Sequence, residues 1–458
     1  MDPKQGTVSA GRPLATDHLD PLDRLLSKSV SAGAEAVGAV FALHRSLSVS
    51  YRLGNPENLE RSESKVIGLR IFVGRRQAIV SSADISADAL AAMVERGMAM
   101  ARAVPEDPYC GLADASEIVH ETVDVDVFDG REIGVASVTE RTAAAEAAAL
   151  AVNGVTNSQG AEAGAGVDTY AIVASNGLRQ TYSRSWHSIS VSVLAGEGTA
   201  MEGDYEYASS VHREDLGDPE ELGRRCGERA VRRLHPRKVR SAQVPIVFEP
   251  RVARGLLGHF AAAINGGAVA RGTTFLHDKL GEAVFAPGIG IIDDPLRRRG
   301  LRSRPFDGEG IASARRAVVE NGVLRSWLLD LRAARQLGLR STGHASRGVS
   351  SSPSPAPTNL YLEPGSRSAE QLIHDIPSGL YVTHLMGFGV NGVTGDYSQG
   401  AGGFWIENGA LAYPVSEITV SGNLPRMFRE LTPASNLEFR YGIDSPTVRI
   451  DGMTVAGR

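Results

Sequence analysis

The stretch that decides the fold of the second half of the chain is residues 387–423, which read GFGVNGVTGDYSQGAGGFWIENGALAYPVSEITVSGN. It contains nine glycines, and Phe404 and Trp405 directly follow one glycine pair. Because glycine has no side chain, strands of this kind leave main-chain groups open to a peptide that adds as a further strand. The alternative is a tightly turned sheet that needs glycine for its geometry alone. The residues themselves favour neither interpretation.

The segments around this stretch predict an α+β protein, with an α/β N-terminal domain followed by a β-rich C-terminal domain. Apolar spacing predicts helices over 20–34, 86–103, 135–152 and 218–234. Strands are predicted over 36–52, 65–80, 166–174, 178–194 and 200–211, with a hairpin turn at Asn176-Gly177. One long helix is expected over 250–263, followed by short strands. We therefore divide the chain into a disordered tail (1–19), an N-terminal domain (20–235) and a C-terminal domain (236–458).

Composition excludes several classes of protein. The net charge is −5 over 458 residues, which argues against a nucleic-acid surface. A basic cluster between Arg224 and Arg240 is interpreted as a solvated helix face. The two cysteines, Cys110 and Cys226, exclude a disulfide framework and favour a reducing compartment. No segment approaches the ~20 apolar residues of a membrane-spanning helix. These features predict a cytoplasmic protein with no membrane association.

No complete catalytic motif is found. Zinc hydrolases need two histidines on one helix face plus a glutamate, whereas His259 on the expected helix is followed by Ala261, Ala262 and Ala263. Residues 387–392 match the dinucleotide pattern G-x-G-x-x-G, but no helix pattern follows to face a phosphate. Cys226 lacks a partner histidine and is interpreted as a structural thiol. The sequence therefore predicts no metal ligands and no catalytic residues in this chain.

Several short motifs resemble the TldD/PmbA family of metallopeptidases, and most closely its PmbA (TldE) branch. They cover nearly the whole chain after residue 20 in the family's order. Besides 392–423, they are NSQG (157–160), SNG (175–177), EGDY (202–205), GG (266–267) with RGTTFL (271–276), IIDD (291–294), and PSP (353–355) with TNL (358–360).

The resemblance implies a division of labour between two kinds of subunit. The TldD-type subunit carries a His-Glu-x-x-x-His helix and a cysteine that together hold zinc. Here no glutamate neighbours His259, and no cysteine follows Cys226. The resemblance thus implies a zinc-free subunit that shapes a peptide chamber, while a TldD-type partner supplies zinc for degrading or trimming peptides, including leader peptides.

Candidate contacts with substrate or partner lie mainly in the glycine-rich stretch. Replacement of Gly392 or Gly400 by Val is expected to lower the peptidase activity of the complex. A different hypothesis is a stand-alone, homodimeric peptide-binding or scaffold protein. A third is a divergent enzyme with a metal on His259, His277 and Asp293. The predicted contact residues are Gly387, Asn391, Gly392, Asp396, Tyr397, Ser398 and Trp405, with Arg271 and Asp293 as weaker candidates.

Overall fold

The structure of the protein is a computed structural model that describes residues 7–8, 19–387 and 389–457. The predicted disordered tail, residues 1–19, lies outside these ranges apart from Leu19 and the short strand at residues 7–8. The disorder of the tail and the division into two domains stay predictions. The nine helices and 21 strands described in these ranges confirm the predicted α+β class.

A six-stranded antiparallel sheet forms the framework of the N-terminal domain. Its strands follow the order β4-β3-β2-β6-β7-β8, and β1 pairs separately with β5. These strands are β1 (Thr7–Val8), β2 (Ala36–Arg52), β3 (Asn55–Val73), β4 (Arg76–Ser82), β5 (Ile133–Gly134), β6 (Val155–Ala174), β7 (Arg179–Ala195) and β8 (Glu202–Ser210).

Two turns decide how this sheet is built. The predicted hairpin at Asn176-Gly177 joins β6 to β7, and Gly177 has a φ of +98°, which glycine adopts without strain. The single strand expected over 65–80 is wrong. Gly74, with a φ of +58°, turns the chain between β3 and β4, so this segment is two arms of a hairpin.

Four helices pack against the sheet: α1 (Asp20–Ser31), α2 (Ala87–Ala103), α3 (Val135–Leu150) and α4 (Pro219–Arg232). The Ser86 side chain caps α2 by accepting a hydrogen bond from the N–H of Ala89, and Asp218 caps α4 through the N–H of Glu220. The first two helices bury their apolar faces against β2, β3 and β4. Helix α3 packs mainly on β6 and β2, and α4 packs on β7, β8 and α3. Both caps are the first residues of the predicted segments 86–103 and 218–234, so these helices begin where expected.

The C-terminal domain contains the one long helix that was predicted, but the region after it holds four short helices as well as strands, and two of those strands span 12 and 14 residues. Its helices are α5 (Pro250–Ala263), α6 (Gly266–Ala270), α7 (Leu331–Leu337), α8 (Ala369–His374) and α9 (Leu424–Arg429). Its strands are β9 (Ala242–Phe248), β10 (Ile291–Asp293), β11 (Arg316–Glu320), β12 (Val323–Leu324), β13 (Ala345–Ser346), β14 (Ser354–Pro355), β15 (Leu360–Leu362), β16 (Ser378–Met386), β17 (Asp396–Glu407), β18 (Ala410–Asn423), β19 (Leu431–Pro433), β20 (Ile443–Asp444) and β21 (Val448–Ala456).

Five of these strands close into a barrel. They follow the order β18-β17-β16-β9-β21, and β21 also pairs with β18, for example at Val420 and Val455. Closure leaves no free edge along the paired parts of the ring. Ile246 and Phe248 of β9 pack in one core with Leu256 and Phe260 of α5. A second sheet, in the order β12-β11-β10-β15-β20, lies in the same domain.

The glycines of residues 387–423 mostly serve the packing of this barrel. A Cβ atom at Gly403 would lie 1.9 Å from the carbonyl oxygen of Tyr381, and one at Gly389 would lie 1.7 Å from that of Ser398. Strand β17 is paired with β16 on one side and β18 on the other, so a peptide cannot add to it as a further strand. The tightly turned sheet is thus the alternative that the geometry favours. Gly387 and Gly392 are the exceptions, since a Cβ at either would meet nothing within 4 Å.

The two domains meet at a layer of buried ion pairs. Arg251, at the start of α5, donates hydrogen bonds to Asp204 and to the carbonyl oxygen of Tyr205 on β8, both at 2.7 Å. The buried Glu206, also on β8, lies 3.6 Å from Arg440 of the C-terminal domain and 2.8 Å from Arg229 of α4. The basic cluster is therefore a solvated face only in part. Arg224 is half-exposed, as predicted, whereas Arg229 and Arg233 contact the buried carboxylates of Glu206 and Asp204 on β8.

Within the described ranges, no helix combines the length and the apolar character needed to cross a bilayer.

Candidate functional site

Helix α5 places His259 at the edge of a cleft. The helix starts at Pro250, whose fixed φ suits a first helical position. Leu256, Leu257 and Phe260 are buried against the barrel, whereas His259 is only half-buried. The cleft beside it has a volume of about 420 Å³. Its lining comprises His259, Ala262, Ala263, Thr273, Thr274, Phe275, Val390, Gly392, Gln399 and Leu424.

The imidazole of His259 is the one lining group whose polar atoms stay open. Its ring stands edge-on to that of Tyr397, with 6.1 Å between centroids and 76° between planes. Burial lowers its pKa below the usual value, which favours the neutral ring at neutral pH. Among the described residues it has no hydrogen-bond partner. By contrast, the Tyr397 hydroxyl donates to Gln399 at 3.0 Å, and the Gln399 amide donates to the carbonyl oxygen of Gly387 at 3.4 Å.

The remaining lining is uncharged. It contains no Asp, Glu, Lys or Arg side chain. Its two hydroxyls are engaged, since Thr273 donates to the carbonyl oxygen of Ala268 at 3.3 Å and Thr274 to that of Ala263 at 2.7 Å. The cleft therefore suits an apolar group, with a single hydrogen-bonding position at His259.

The residues around His259 do not fit a zinc ion. Zinc in hydrolases takes three protein ligands of the His, Glu, Asp or Cys type. The positions one turn before and after His259 on α5 are Gly255, Leu256, Ala262 and Ala263. In the part of the chain that the structure describes, no three His, Cys, Asp or Glu side chains are grouped so as to hold a metal. Helix α5 therefore offers a single possible zinc ligand, His259.

The described residues do not group His259, His277 and Asp293 as a metal site, because these side chains lie in different environments. Asp293 is fully buried, and its carboxylate accepts hydrogen bonds from the N–H of Thr358 at 2.7 Å and from the Thr358 hydroxyl. His344 contacts the same carboxylate at 3.2 Å. His277 is exposed and pairs with the adjacent Asp278. These contacts explain Asp293 as part of a buried polar network that organises the chain around β10, not as a substrate contact.

The structure brings several predicted residues to the cleft or its rim. Gly392 lines it and Tyr397 supports His259. Asn391 shapes the loop before β17, because its side-chain oxygen accepts from the N–H of Val393 at 2.9 Å. Asp396 is exposed and accepts from the Thr394 hydroxyl at 2.6 Å. That hydrogen bond, with a second from Asn423, lowers the pKa of Asp396 below its usual range.

Other predicted residues lie away from the cleft lining. Trp405 is 8% exposed and belongs to the barrel core, so its burial argues against direct substrate contact. Arg271 is exposed at the end of α6. Gly387 and Ser398 are exposed, but neither residue lines the cleft.

Sequence reasoning missed Phe275, Val390, Gln399 and Leu424. The signal for one of them was available, because Gln399 is two residues from Tyr397 on a strand and must share its face. The others come from three separated loops or helix starts that only the fold brings together.

Comparison with known proteins agrees with this geometry. Three family models match the chain: PmbA/TldA metallopeptidase domain 1 over residues 42–101, the central domain over 128–234, and the C-terminal domain over 241–457. The chain is 38% identical to the metalloprotease PmbA of Escherichia coli O157:H7, over 95% of this chain and 97% of that protein. It is 37% identical to a PmbA homolog of Haemophilus influenzae, over 94% of each chain.

Solved structures share the whole fold. A putative modulator of DNA gyrase from Bacteroides thetaiotaomicron superposes with a TM-score of 0.88 at 26% identity, covering 97% of this chain and all of that one. TldE from Thermococcus kodakarensis shares the fold with a TM-score of 0.82 at 19% identity, covering 95% of this chain and all of that one. With relatives of this identity over nearly its full length, the chain belongs to the PmbA/TldD family of metallopeptidases.

Proposed function

We propose that this chain is the zinc-free subunit of a cytoplasmic TldD/TldE-type metallopeptidase complex that degrades or trims peptides. It shapes and closes the peptide chamber and holds part of an extended peptide. The TldD-type partner supplies the zinc and the activated water. Trimming of a leader peptide is one task that this arrangement serves.

One observation carries the proposal: helix α5 and its cleft are intact, whereas the ligand positions around His259 hold glycine, leucine and alanine. A chain that has the cleft but lacks the zinc ligands is expected to bind peptide, while another subunit cleaves it. The family relationship supports a role in peptide hydrolysis, since the relatives that match over nearly the full length are named metalloproteases.

In this complex, the residues of this chain position the peptide. The neutral His259 ring can accept one hydrogen bond from a peptide N–H, or donate one to a peptide carbonyl. The Tyr397 ring packs edge-on against the His259 ring. The Gln399 side chain is fixed by hydrogen bonds with the Tyr397 hydroxyl and the Gly387 carbonyl oxygen. Gly392 leaves room at the rim, because no side chain projects there. The bond-breaking chemistry comes from the zinc of the partner.

The test is co-expression with the cognate TldD-type subunit, followed by hydrolysis of an unfolded protein such as casein. We expect the two chains to co-purify, and turnover to require both. If the chain purifies as a homodimer, binds peptides and leaves the activity of the TldD-type subunit unchanged, the stand-alone binding protein replaces our proposal. Hydrolysis by this chain alone would refute the positioning role.

A further inference from the structure

The cleft beside His259 combines apolar walls with one open hydrogen-bonding group. We infer that it is a side-chain subsite, which selects an uncharged apolar residue of the bound peptide and holds the adjacent main-chain amide through His259. This inference rests on the proposed peptide-handling function and adds the substrate class to it.

The size and lining of the cleft support an apolar side chain. Its volume of about 420 Å³ exceeds that of any single side chain and lies in the range of small-ligand pockets. Its walls come from Ala262 and Ala263 of α5, Phe275, Val390 and Leu424. A charged side chain placed there would lose its water without gaining an opposite charge, which is strongly unfavourable. Selection against Lys, Arg, Asp and Glu follows from the walls alone.

The polar groups around the cleft leave His259 as the position for the peptide main chain. The hydroxyls of Thr273 and Thr274 and the hydroxyl of Tyr397 already donate within the protein. The nitrogens of His259 have no partner among the described residues, so they are free to bond a ligand that enters the cleft. A peptide amide that entered the cleft would supply that partner. The side chain next to this amide would then point toward the apolar walls.

Apolar surface continues past the rim. Val393 follows the lining residue Gly392 and is 56% exposed. Exposed apolar side chains of this size next to a cleft extend the contact available to a longer ligand. The charged residues of the neighbouring turns, Arg271 and Asp396, are exposed and do not line the cleft. Selectivity therefore comes from the cleft and not from its surroundings.

The experiment measures binding of capped peptides to the full chain. The probes are acetyl-Gly-Gly-X-Gly-Gly-amides in which X is Phe, Leu, Lys or Glu, and binding is followed by saturation-transfer NMR. We expect the Phe and Leu peptides to bind about tenfold more tightly than the Lys and Glu peptides, because only the latter bring an unpaired charge into the cleft. Equal binding of all four peptides would overturn the inference.

Two variants separate the walls from His259. Ala262 is exposed and lines the cleft, so Ala262→Glu adds a carboxylate without disturbing the core. We expect it to abolish the preference for Phe and to make the Lys peptide the tightest of the four. Ala92→Glu, at an exposed position on α2, is the matched control and should leave the ranking unchanged. If Ala262→Glu also leaves it unchanged, the peptide binds elsewhere.

The variant His259→Leu keeps the apolar walls and removes the hydrogen bond. It should weaken the Phe and Leu peptides alike by about fivefold, the usual net worth of one hydrogen bond, while they remain the preferred pair. An unchanged affinity would show that His259 does not hold the amide.

The peptide-binding experiment tests the subsite separately from the role beside a TldD-type subunit. Selective binding by this chain without any effect on a TldD-type subunit would refute the partner role and leave the subsite in place. Partner-dependent hydrolysis that changes neither with X nor with Ala262→Glu would support the partner role and refute the subsite.

Discussion

The guanidinium Nη1 of Arg251 lies 2.7 Å from Oδ1 of Asp204, and this buried contact joins the first helix of the C-terminal domain to the last strand of the N-terminal domain. The same side chain donates to Glu249 at 2.8 Å and to the carbonyl oxygen of Thr383 at 3.2 Å. One guanidinium therefore connects β8, β16 and the start of α5. Because α5 also carries His259, the geometry of the cleft depends on this junction.

Removing one partner of this pair should destabilise the protein strongly. Burial alone would raise the pKa of Asp204, but the hydrogen bond and charge of Arg251 outweigh it and hold the pKa below its usual range. Arg251→Ala leaves the buried Asp204 carboxylate with the longer 3.5 Å contact to Arg233 as its remaining ion pair, and we expect it to cost about 3–5 kcal/mol in free energy of unfolding. Urea unfolding at pH 7 measures this change.

Arg224→Ala is the matched control for that prediction. Arg224 pairs with Glu221 and Glu228 on the surface of α4, and its side chain is 50% exposed. Exposed pairs of this kind contribute about 0.2–1 kcal/mol. Equal losses in the two variants would contradict the importance of the junction.

Glu309 gives the protein a pH-dependent stability near neutrality. Burial, with Asp307 nearby, raises the pKa of Glu309 to about 8, although the N–H of Leu331 and the charge of Arg70 act in the opposite direction. The folded pKa thus exceeds the usual 4.5. Between these two values the folded protein binds more protons than the unfolded chain, so stability falls as pH rises from about 5 to about 8.

Glu309→Gln should flatten this slope, since the amide cannot ionise. Urea midpoints measured at pH 5, 6, 7 and 8 test the expectation. The control is Glu320→Gln at an exposed carboxyl, which should keep the slope of the parent protein. A slope that persists in Glu309→Gln would assign it to other groups.

The glycines of β17 and its preceding loop should differ sharply in their tolerance of a side chain. In Gly403→Ala the new Cβ would meet the Tyr381 carbonyl oxygen at 1.9 Å, and that main-chain group cannot move without breaking the barrel. We expect a loss of about 1–3 kcal/mol, as for other overpacked cores. Gly392→Ala meets nothing within 4 Å and should be nearly neutral. Thermal unfolding of the two variants decides the point, and similar melting temperatures would contradict it.

Gly392→Val should lower peptidase turnover of the reconstituted complex by about tenfold, because it places a branched side chain at the rim and displaces the peptide. The fold should be unaffected.

Gly400→Val is the control for this prediction. From the sequence, a valine at Gly400 is also expected to lower turnover, but Gly400 does not line the cleft. A Cβ there would lie 3.4 Å from the Met386 carbonyl oxygen, a tight but tolerable contact. Gly400→Val is therefore a control that should keep most of the turnover. Unchanged turnover in Gly392→Val would exclude the rim from the peptide path.

The purified chain should not retain zinc. His259 offers one ligand, and a single imidazole does not hold zinc against a chelator. We expect well below one zinc per chain by atomic emission after dialysis against EDTA, with the TldD-type subunit as the zinc-retaining control. Stoichiometric zinc in this chain would refute the proposed role.

The periodic elements of this fold could be predicted from the sequence. Helix α5 was bounded correctly at Pro250 and Ala263, and the turn at Asn176-Gly177 was placed correctly. Those features depend on local chemistry: a proline at the first helical position, apolar spacing, and a glycine with positive φ. The turn at Gly74 was missed although a polar break marks it, since residues 74–77 read GRRQ between two apolar runs.

The cleft could be predicted only in outline. His259 and Gly392 were identified, yet nothing local to Phe275 or Leu424 shows that they face the same space. Trp405 and Asp293 were misjudged for a related reason. An aromatic ring beside glycines, or an acid after an apolar strand, has the same sequence pattern whether it faces solvent or the core. Burial is decided by long-range pairing: the closure of β18 against β21 for Trp405, and the pairing of β10 with β11 and β15 for Asp293.

That closure also bears on how the molecule is made. Strand β9 pairs with β16 and β21, which begin only at Ser378 and Val448. On the ribosome, β9 and the apolar face of α5 emerge long before either strand exists, and such distant pairings form slowly. The nascent C-terminal half must therefore stay unassembled until its last strand has been synthesised. During that interval the N-terminal sheet, whose strands are nearer neighbours in the chain, is the half that can already fold.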